Sequence, residues 1–300
     1  MKSNITIYAN SVKIIPYTKF IFPGGEIQVK IDTNFTENGK YQLEHIAVTA
    51  NIFDSEGIIE LLLVANAIKE AYGDGPLWLT LPYFPYSRQD RVCSPGEAFS
   101  FKVVHDLLLQ YFDNITTYDL HNPRALLPKR YGLKSGKFDS ESRIINYPAS
   151  IFIRKLRLEG QYDFVVAPDK GAKERADGVA KYLNIPVITA EKVRDPNTGH
   201  ITHTAIPTTS NIRYHSKFLI VDDICDGGRT FVELAKVLHE RQGNELVDLP
   251  RSTIDLYVTH GIFSKGLSVF AGLINKVYTA NLFPNEDPEV AKNVIVAKGE

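Results

Sequence analysis

The chain has 300 residues, of which 44% are hydrophobic and 23% are charged, and its formal net charge is −1. This length and composition suit a globular protein with two domains of ordinary size, each with its own core. The balanced charge excludes a general electrostatic attraction to nucleic acid or to anionic membranes.

Cysteine usage and apolar runs bear on the compartment. Cys93 and Cys225 are too few for a disulfide framework, which fits a reducing environment. The N-terminal segment lacks the apolar core of a signal peptide, and no apolar run approaches the length needed to span a bilayer. We therefore expect a cytoplasmic protein with no membrane or nucleic-acid partner.

The first half of the chain predicts strands that alternate with helices. Short β-like segments occupy residues 5–31 and are interrupted by Pro23, Gly24 and Gly25, which favour a turn. The elements that follow are strands at 45–51, 77–81 and 115–120 and helices at 54–73 and 99–111. This alternation predicts a parallel sheet with crossover helices.

The second half repeats the alternation. Its predicted helices are 142–158, a segment ending at Leu183, 231–241 and 265–273. Its predicted strands are 164–167, 186–189, 218–221, 253–259, 276–279 and 293–297. Residues 191–210 lack periodicity and are long for a connection, which predicts a mobile functional loop.

The predicted fold class is therefore α/β, with two domains that each contain a mainly parallel sheet flanked by helices. We place the N-terminal domain at residues 1–143 and the C-terminal domain at 144–300, with the tail 285–300 packing back on the first domain. Polar residues follow strands in both halves, which predicts a shared site in the cleft between the domains.

One stretch, residues 217–230, combines an apolar strand, two carboxylates and a glycine-containing turn before a helix. Asp222 and Asp223 can accept hydrogen bonds from vicinal hydroxyls. The turn from Asp226 to Thr230 would present backbone amides and a helix N-terminus to an anion. Together these groups suit a sugar phosphate, and the alternative is a solvated Asp-Gly loop.

The loop at residues 82–91 places aromatic side chains beside polar and charged ones. Tyr83, Phe84 and Tyr86 could stack on a purine, and the guanidinium groups of Arg88 and Arg91 could clamp phosphates. Gln89 and Asp90 complete the polar set. A nucleotide contact is favoured here, and the alternative is ordinary aromatic packing in a proline-rich loop.

Two predicted strand ends, one in each half, carry groups suited to a Mg²⁺–nucleotide complex. Asp119 and His121 follow the strand at 115–120, and Asp169 follows the strand at 164–167. Taken singly, His121 could be structural and Asp169 could serve a turn. Lys192 and Arg194 open the 191–210 segment, where cations suit phosphoryl transfer; a solvated charge pair is the alternative.

In order along the chain, these motifs resemble the ribose-phosphate pyrophosphokinase (phosphoribosyl diphosphate synthetase) family over roughly residues 20–283. The segments that carry the resemblance are Phe22 to Ile27, Glu60 to Leu63, Pro82 to Asp90, Asp119 to His121, Ala167 to Gly171, Lys192 to Arg194, Val221 to Thr230, and Thr259 to Gly261. The resemblance implies two phosphoribosyltransferase-like domains. It also implies an enzyme that transfers diphosphate from ATP to the anomeric hydroxyl of ribose 5-phosphate and releases AMP.

The resemblance implies a role for each matching residue. Ribose 5-phosphate would be held by Asp222, Asp223, Asp226, Gly227, Gly228, Arg229 and Thr230. ATP would be bound by Arg88, Gln89 and Asp90, with Phe22 and Glu26 reaching the adenine across a subunit boundary of a homo-oligomer. Mg²⁺ would be organised by His121 and Asp169, and His121, Lys192 and Arg194 would be catalytic.

The chain also departs from the family pattern. Gly24 replaces an aspartate, Val193 replaces an arginine, and only 21 residues precede Phe22. In the phosphate turn, Asp226 to Thr230 reads Asp-Gly-Gly-Arg-Thr in place of Asp-Thr-Ala-Gly-Thr, so Arg229 could grip the 5-phosphate or serve a larger acceptor. The alternatives are therefore diphosphoryl transfer to ADP-ribose and a non-catalytic regulatory homologue.

Overall fold

The computed structural model describes residues 3–33, 44–125, 143–194, 201–207, 212–213, 215–241 and 253–297, with the backbone alone at 192–194, 201–203 and 241. The chain folds as two compact units, Met1–Tyr147 and Pro148–Glu300. The division falls a few residues beyond the predicted domain boundary because residues 144–147 form a strand of the first sheet.

The first unit is built on a six-stranded sheet. Its elements are β1 (Asn4–Ala9), β2 (Lys13–Ile15), β3 (Tyr17–Ile21), β4 (Ile27–Ile31), β5 (Ile46–Asn51), α1 (Ser55–Tyr72), β6 (Leu77–Thr80), α2 (Ser100–Tyr111), β7 (Asn114–Tyr118) and β8 (Ile144–Tyr147). The sheet order is β2-β1-β5-β6-β7-β8, with β5 to β8 mutually parallel and β1 antiparallel to both neighbours. β3 and β4 form a separate antiparallel hairpin.

Helix α1 follows from local sequence signals. Asp54 caps its first turn by accepting a hydrogen bond from the Gly57 amide at 2.8 Å, and Gly73, at φ 81°, ends it. Its apolar residues recur at helical spacing, so one face is buried. That face contributes Ile58, Leu61, Val64, Ala65 and Ile68 to the first core.

The second unit contains an all-parallel six-stranded sheet. Its elements are α3 (Ala149–Leu156), β9 (Phe164–Ala167), α4 (Lys173–Leu183), β10 (Val187–Thr189), β11 (Glu191–Arg194), β12 (Ile201–Ala205), β13 (Phe218–Cys225), α5 (Arg229–Arg241), β14 (Ile254–Gly261), a 3₁₀ turn (Ser268–Phe270), β15 (Lys276–Leu282), α6 (Pro288–Asn293) and β16 (Val294–Val296). The sheet order is β10-β9-β13-β14-β15-β16. The predicted α/β class with two mainly parallel sheets is thereby confirmed.

Strands β13 and β14 occupy the centre of the second sheet and are buried along nearly their whole length. A parallel sheet covered on both faces requires continuous apolar strands, which explains the run from Phe218 to Val221. Within the described residues, no helix combines the length and apolar content that a membrane span requires.

Three predicted elements differ from the structure. The helix predicted at 142–158 is wrong in its first part, because Pro148 favours an extended Tyr147 and α3 begins only at Ala149. The irregular loop predicted at 191–210 contains the antiparallel hairpin β11–β12, while 195–200 and 208–210 lie outside the described residues. The helix predicted at 265–273 is a single 3₁₀ turn.

The tail forms a short helix and the last strand of the second sheet. Asp287 caps α6, with a proline at the first helical position, and the chain then continues directly into β16. β16 pairs with β15 and forms the edge of the second sheet, which confirms the strand predicted at 293–297, while packing of the tail on the first domain stays a prediction.

Candidate active site

The acid pair was predicted directly after a strand that ends at Val221, but β13 continues to Cys225, so Asp222 and Asp223 lie within its last residues. The Asp222 side chain is 20% exposed and that of Asp223 is 5% exposed. Arg175 of α4, itself 9% exposed, places Nη1 3.3 Å from Asp222 Oδ1 and 3.8 Å from Asp223 Oδ1. The strand end therefore presents two carboxylates that share one buried cation.

The electrostatics of this group are set by burial. Burial raises the pKa of Asp222 well above its usual value, and the negative charge of Asp223 adds to the rise. Arg175 opposes it, and the Asp223 amide donates a hydrogen bond to Asp222 Oδ1 at 2.9 Å. Carboxylates held in this way can accept hydrogen bonds from two neighbouring hydroxyls of a bound sugar.

The turn that follows, residues 226–228, leads directly into α5. Gly228 has φ 76°, and a Cβ there would lie 2.8 Å from the Phe270 ring, so only glycine fits. Its carbonyl accepts the amides of Phe231 and Val232 at 3.1 Å each. Asp226 Oδ1 accepts a hydrogen bond from Ser264 Oγ at 2.5 Å, which joins the turn to the loop after β14.

Arg229 occupies a different place from the one expected for a phosphate-gripping residue. It is the first residue of α5, and its side chain is 90% exposed. Its Nε lies 2.7 Å from Glu233 Oε1, one helical turn along. The guanidinium is therefore held on the outer surface of the helix.

The aromatic residues of the 82–91 loop are less accessible than a purine platform requires. Phe84 is 1% exposed and packs edge-on against Phe101 with ring centroids 5.1 Å apart. The Tyr86 hydroxyl lies 2.8 Å from Ser55 Oγ. The predicted stacking role is wrong for Phe84, because its ring fills the first core.

The polar end of the same loop meets the segment after β7. Arg88 and Gln89 are exposed, and Asp90 Oδ2 accepts a hydrogen bond from Asn122 Nδ2 at 2.6 Å. His121, also exposed, directly precedes Asn122. The first unit thus brings together four residues predicted for ATP and metal binding, at the carboxyl ends of β6 and β7.

Phe22 and Glu26 lie at the turn of the β3–β4 hairpin. The Phe22 amide donates to the Glu26 carbonyl at 2.8 Å, and Gly25 has φ 91° between them. The Phe22 side chain is 47% exposed and packs edge-on against Phe20, with centroids 5.5 Å apart. Two aromatic rings are therefore presented at the exposed end of the hairpin.

Asp169 and the predicted catalytic cations lie in the second unit. Asp169 follows β9, and its Oδ1 accepts the amides of Gly171 at 2.9 Å and Ala172 at 3.2 Å. Lys192 and Arg194 lie on β11, where Lys192 is paired with Thr204 and Arg194 with Ile201. The side chains of Lys192 and Arg194 lie outside the described residues.

Comparison with known proteins shows to which family the chain belongs. The chain matches the N-terminal domain of ribose phosphate pyrophosphokinase over residues 4–111 and the phosphoribosyl transferase domain over residues 143–247. The ribose-phosphate pyrophosphokinase of Pyrococcus abyssi is 33% identical over 282 residues, which are 93% of this chain and 88% of that protein. The chain belongs to the ribose-phosphate pyrophosphokinase family.

Other relatives agree with this assignment. The ribose-phosphate pyrophosphokinase of Thermococcus kodakarensis is 33% identical over 247 residues, covering 82% of this chain and 77% of that protein. A crystal structure of phosphoribosylpyrophosphate synthetase from Mycobacterium smegmatis has the same fold, with a TM-score of 0.70 over 95% of this chain and 86% of that one, at 21% identity. This member of the ribose-phosphate pyrophosphokinase family is accordingly an enzyme.

Sequence reasoning did not assign Arg175 or Asn122 to the site. Arg175 lies on the helix that follows Asp169 and β9, and a crossover helix packs on its own sheet, where β13 is next to β9. This topology, which the alternation of strands and helices predicts, could have indicated a cation near the acid pair. For Asn122 no local pattern distinguishes it from a surface residue.

Proposed function

We propose that the protein transfers the β,γ-diphosphoryl group of ATP to the anomeric 1-hydroxyl of ribose 5-phosphate, giving phosphoribosyl diphosphate and AMP. The observation that carries this proposal is the end of β13, where the acid pair with Arg175 runs into the glycine turn at the start of α5. Within a ribose-phosphate pyrophosphokinase, that arrangement suits a phosphorylated sugar with vicinal hydroxyls.

In this proposal the second unit binds the acceptor. Asp222 and Asp223 accept hydrogen bonds from the ribose hydroxyls. The turn of Asp226, Gly227 and Gly228, together with Thr230 at the start of α5, surrounds the 5-phosphate, which meets backbone amides and the positive end of the α5 dipole. Both ends of the acceptor are then fixed, which orients its anomeric oxygen for in-line attack.

The first unit binds the ATP donor. Arg88, Gln89 and Asp90 contact the phosphates and ribose of ATP, which agrees with the exposure of Arg88 and Gln89. Phe22 and Glu26 of one copy serve the adenine bound to another copy of a homo-oligomer. The exposed Phe20–Phe22 pair supports this role, because a half-exposed aromatic ring can stack on a base.

Diphosphoryl transfer forms a bond from the anomeric oxygen to the β-phosphorus and breaks the bond to the α,β-bridging oxygen, so AMP leaves and the hydroxyl proton is released to water. Lys192 and Arg194 stabilise the charge on the transferring group. His121 and Asp169 would hold Mg²⁺ bound to ATP, which neutralises phosphate charge when present. Among the described residues no group of three acidic, histidine or cysteine side chains forms a metal site, and this fits an ion held mainly by the nucleotide.

The test is an assay of acceptor-dependent AMP release. The protein is incubated with ATP, Mg²⁺ and either ribose 5-phosphate or ADP-ribose, and AMP is followed together with the phosphorus NMR spectrum. We expect AMP and a new diphosphate ester with ribose 5-phosphate. Activity with ADP-ribose alone would replace the acceptor, and no AMP with either acceptor would overturn the proposed reaction.

Variants of the acid pair make the assay specific. Asp222→Asn combined with Asp223→Asn should lower acceptor-dependent AMP release by about 100-fold or more, because neutral amides are weaker acceptors for the ribose hydroxyls. Asp177→Asn on the exposed face of α4, where Asp177 pairs with Lys173, is the matched control and should retain activity.

A further inference from the structure

The two glycines of the phosphate turn have different structural requirements. Gly228 needs glycine for its φ of 76° and for its contact with Phe270. Gly227 has no such φ, and the atoms nearest to a Cβ placed there belong to the Lys265 side chain, at 3.5–3.8 Å, an ordinary packing distance. The fold therefore accepts alanine at 227, where a methyl group would fill the space between the backbone and the Lys265 stem.

Lys265 is positioned over this bare backbone by a well-anchored loop. The amides of Ile262 and Phe263 donate to the Cys225 carbonyl at 2.9 and 3.2 Å. Ser264, the residue before Lys265, donates to Asp226 at 2.5 Å. The loop after β14 is thus fastened to the last residue of β13 and to the first residue of the turn.

The side chain of Lys265 lies beside the backbone of Gly227. Its Cγ, Cδ and Cε lie 3.5–3.8 Å from the position that a Cβ of Gly227 would take. The ammonium nitrogen is bonded to Cε, which is 3.5 Å from that position. Lysine is a compact and mobile point charge, which can follow a phosphate without a fixed fork geometry. Arg229, the first residue of α5, is 90% exposed and paired with Glu233.

We propose that Lys265, rather than Arg229, is the cation that contacts the phosphate of the acceptor, and that Gly227 is glycine so that this phosphate can reach the backbone amides beneath the lysine. The inference rests on the proposed function and names a specificity-determining residue of the same site. The phosphate would lie between the ammonium group and the N-terminus of α5, with positive charge on both sides.

The experiment is direct binding of ribose 5-phosphate, and separately of ADP-ribose, by calorimetry without ATP. Lys265→Met keeps the methylene stem and removes the charge, and should weaken the Kd by about 10- to 100-fold. Arg229→Met and the exposed Lys236→Met on α5 carry the same charge change and should bind like the wild type. Gly227→Ala should weaken binding by about tenfold or more while the melting temperature is retained.

Steady-state kinetics separates a phosphate contact from a structural effect. Lys265→Met should raise the KM for ribose 5-phosphate and leave the rate of AMP release measured with unphosphorylated ribose unchanged, because ribose offers no phosphate to the lysine. The proposal would be overturned by an unchanged Kd in Lys265→Met or by a larger loss of affinity in Arg229→Met. It would also be overturned if Lys265→Met lost as much activity with ribose as with ribose 5-phosphate. Absence of binding of either acceptor to the wild type would also overturn it, whereas binding without AMP release would count against the proposed reaction alone.

Discussion

Two adjacent carboxylates at a strand end repel each other unless a cation or a proton offsets their charge. Here the cation is Arg175, 3.3 Å from Asp222 and 3.8 Å from Asp223. Arg175 precedes Asp222 by 47 residues and lies on a different element. The charge balance of the acid pair is therefore a property of tertiary structure.

Arg175→Met keeps the length of the side chain and removes its charge. The pKa of Asp222, already raised by burial, should rise further without the guanidinium. A carboxyl whose pKa is raised in the folded state keeps its proton to higher pH than in the unfolded chain, so the free energy of unfolding falls as pH rises through that window. Relative to the wild type, the free energy of unfolding of Arg175→Met should therefore be lower by about 3–5 kcal/mol at about pH 8, and by less at about pH 5.

Urea denaturation of wild type and Arg175→Met at both pH values measures this difference. Lys173→Met is the control, because Lys173 lies on the same helix with its side chain 54% exposed and should change the free energy of unfolding by less than about 0.5 kcal/mol. If Arg175→Met lowered the free energy of unfolding equally at the two pH values, Arg175 would stabilise the fold by packing and not by its charge.

At the scale of elements, a polar network fastens the β3–β4 hairpin to α1. The Tyr17 hydroxyl donates to Glu60 Oε1 at 2.9 Å, and Lys19 Nζ lies 2.9 Å from Glu60 Oε2 and 2.6 Å from Glu56 Oε1. Glu60 is 5% exposed. Burial of Tyr17 and its hydrogen bond to Glu60 both raise the pKa of Tyr17. The network therefore fixes the hairpin whose turn carries Phe22 and Glu26.

Glu60→Gln should loosen this hairpin. The neutral amide keeps the shape of the side chain but loses the charge-assisted hydrogen bond to Lys19, at a cost of about 1–3 kcal/mol. Amide hydrogen exchange in Tyr17–Ile31 should accelerate, and the KM for ATP should rise. Hydrogen–deuterium exchange and steady-state kinetics test both expectations.

Glu56→Gln is the matched control, since the Glu56 side chain is 57% exposed and pairs with the same lysine. An exposed ion pair contributes about 0–1 kcal/mol, so exchange in the hairpin should change little. If the two variants accelerated exchange equally, the buried position of Glu60 would have no special part in holding the hairpin.

At the scale of the whole molecule, the described residues contain no cluster of three potential metal ligands. A magnesium ion held mainly by ATP phosphates needs only one or two protein carboxylates or imidazoles. We therefore expect Mg²⁺ alone to leave the melting temperature within about 1 °C, and Mg²⁺ with saturating ATP to raise it by about 2–4 °C.

Thermal denaturation with and without a chelator checks this expectation. Chelation in the presence of ATP should remove most of the stabilisation and all acceptor-dependent AMP release, while circular dichroism retains the folded spectrum. A shift of several degrees with Mg²⁺ and no nucleotide would indicate a site formed by the protein itself.

Predictions from the sequence succeeded where the signals were local. The cap at Asp54, the periodicity of α1 and the apolar run of β13 depend on neighbouring residues, and each element lies close to its predicted position. β8 was missed because four residues before Pro148 fit a helical pattern and a strand alike, and pairing with β7 decides between them. Phe84 looked like a ligand platform because its aromatic character is visible in the sequence and its burial is not.

The sequence alone determined the acid pair and the glycine turn, because each depends on residues within a few positions of one another. It also determined the α/β alternation and the family, because short local patterns of this kind follow one another in a fixed order along the chain. Tertiary structure alone decided which groups meet: Arg175 with Asp222, Ser264 with Asp226 across 38 residues, and Asn122 with Asp90 across 32. Neighbouring parallel strands bring their carboxyl ends to one edge, and the loops there come into contact regardless of their separation along the chain.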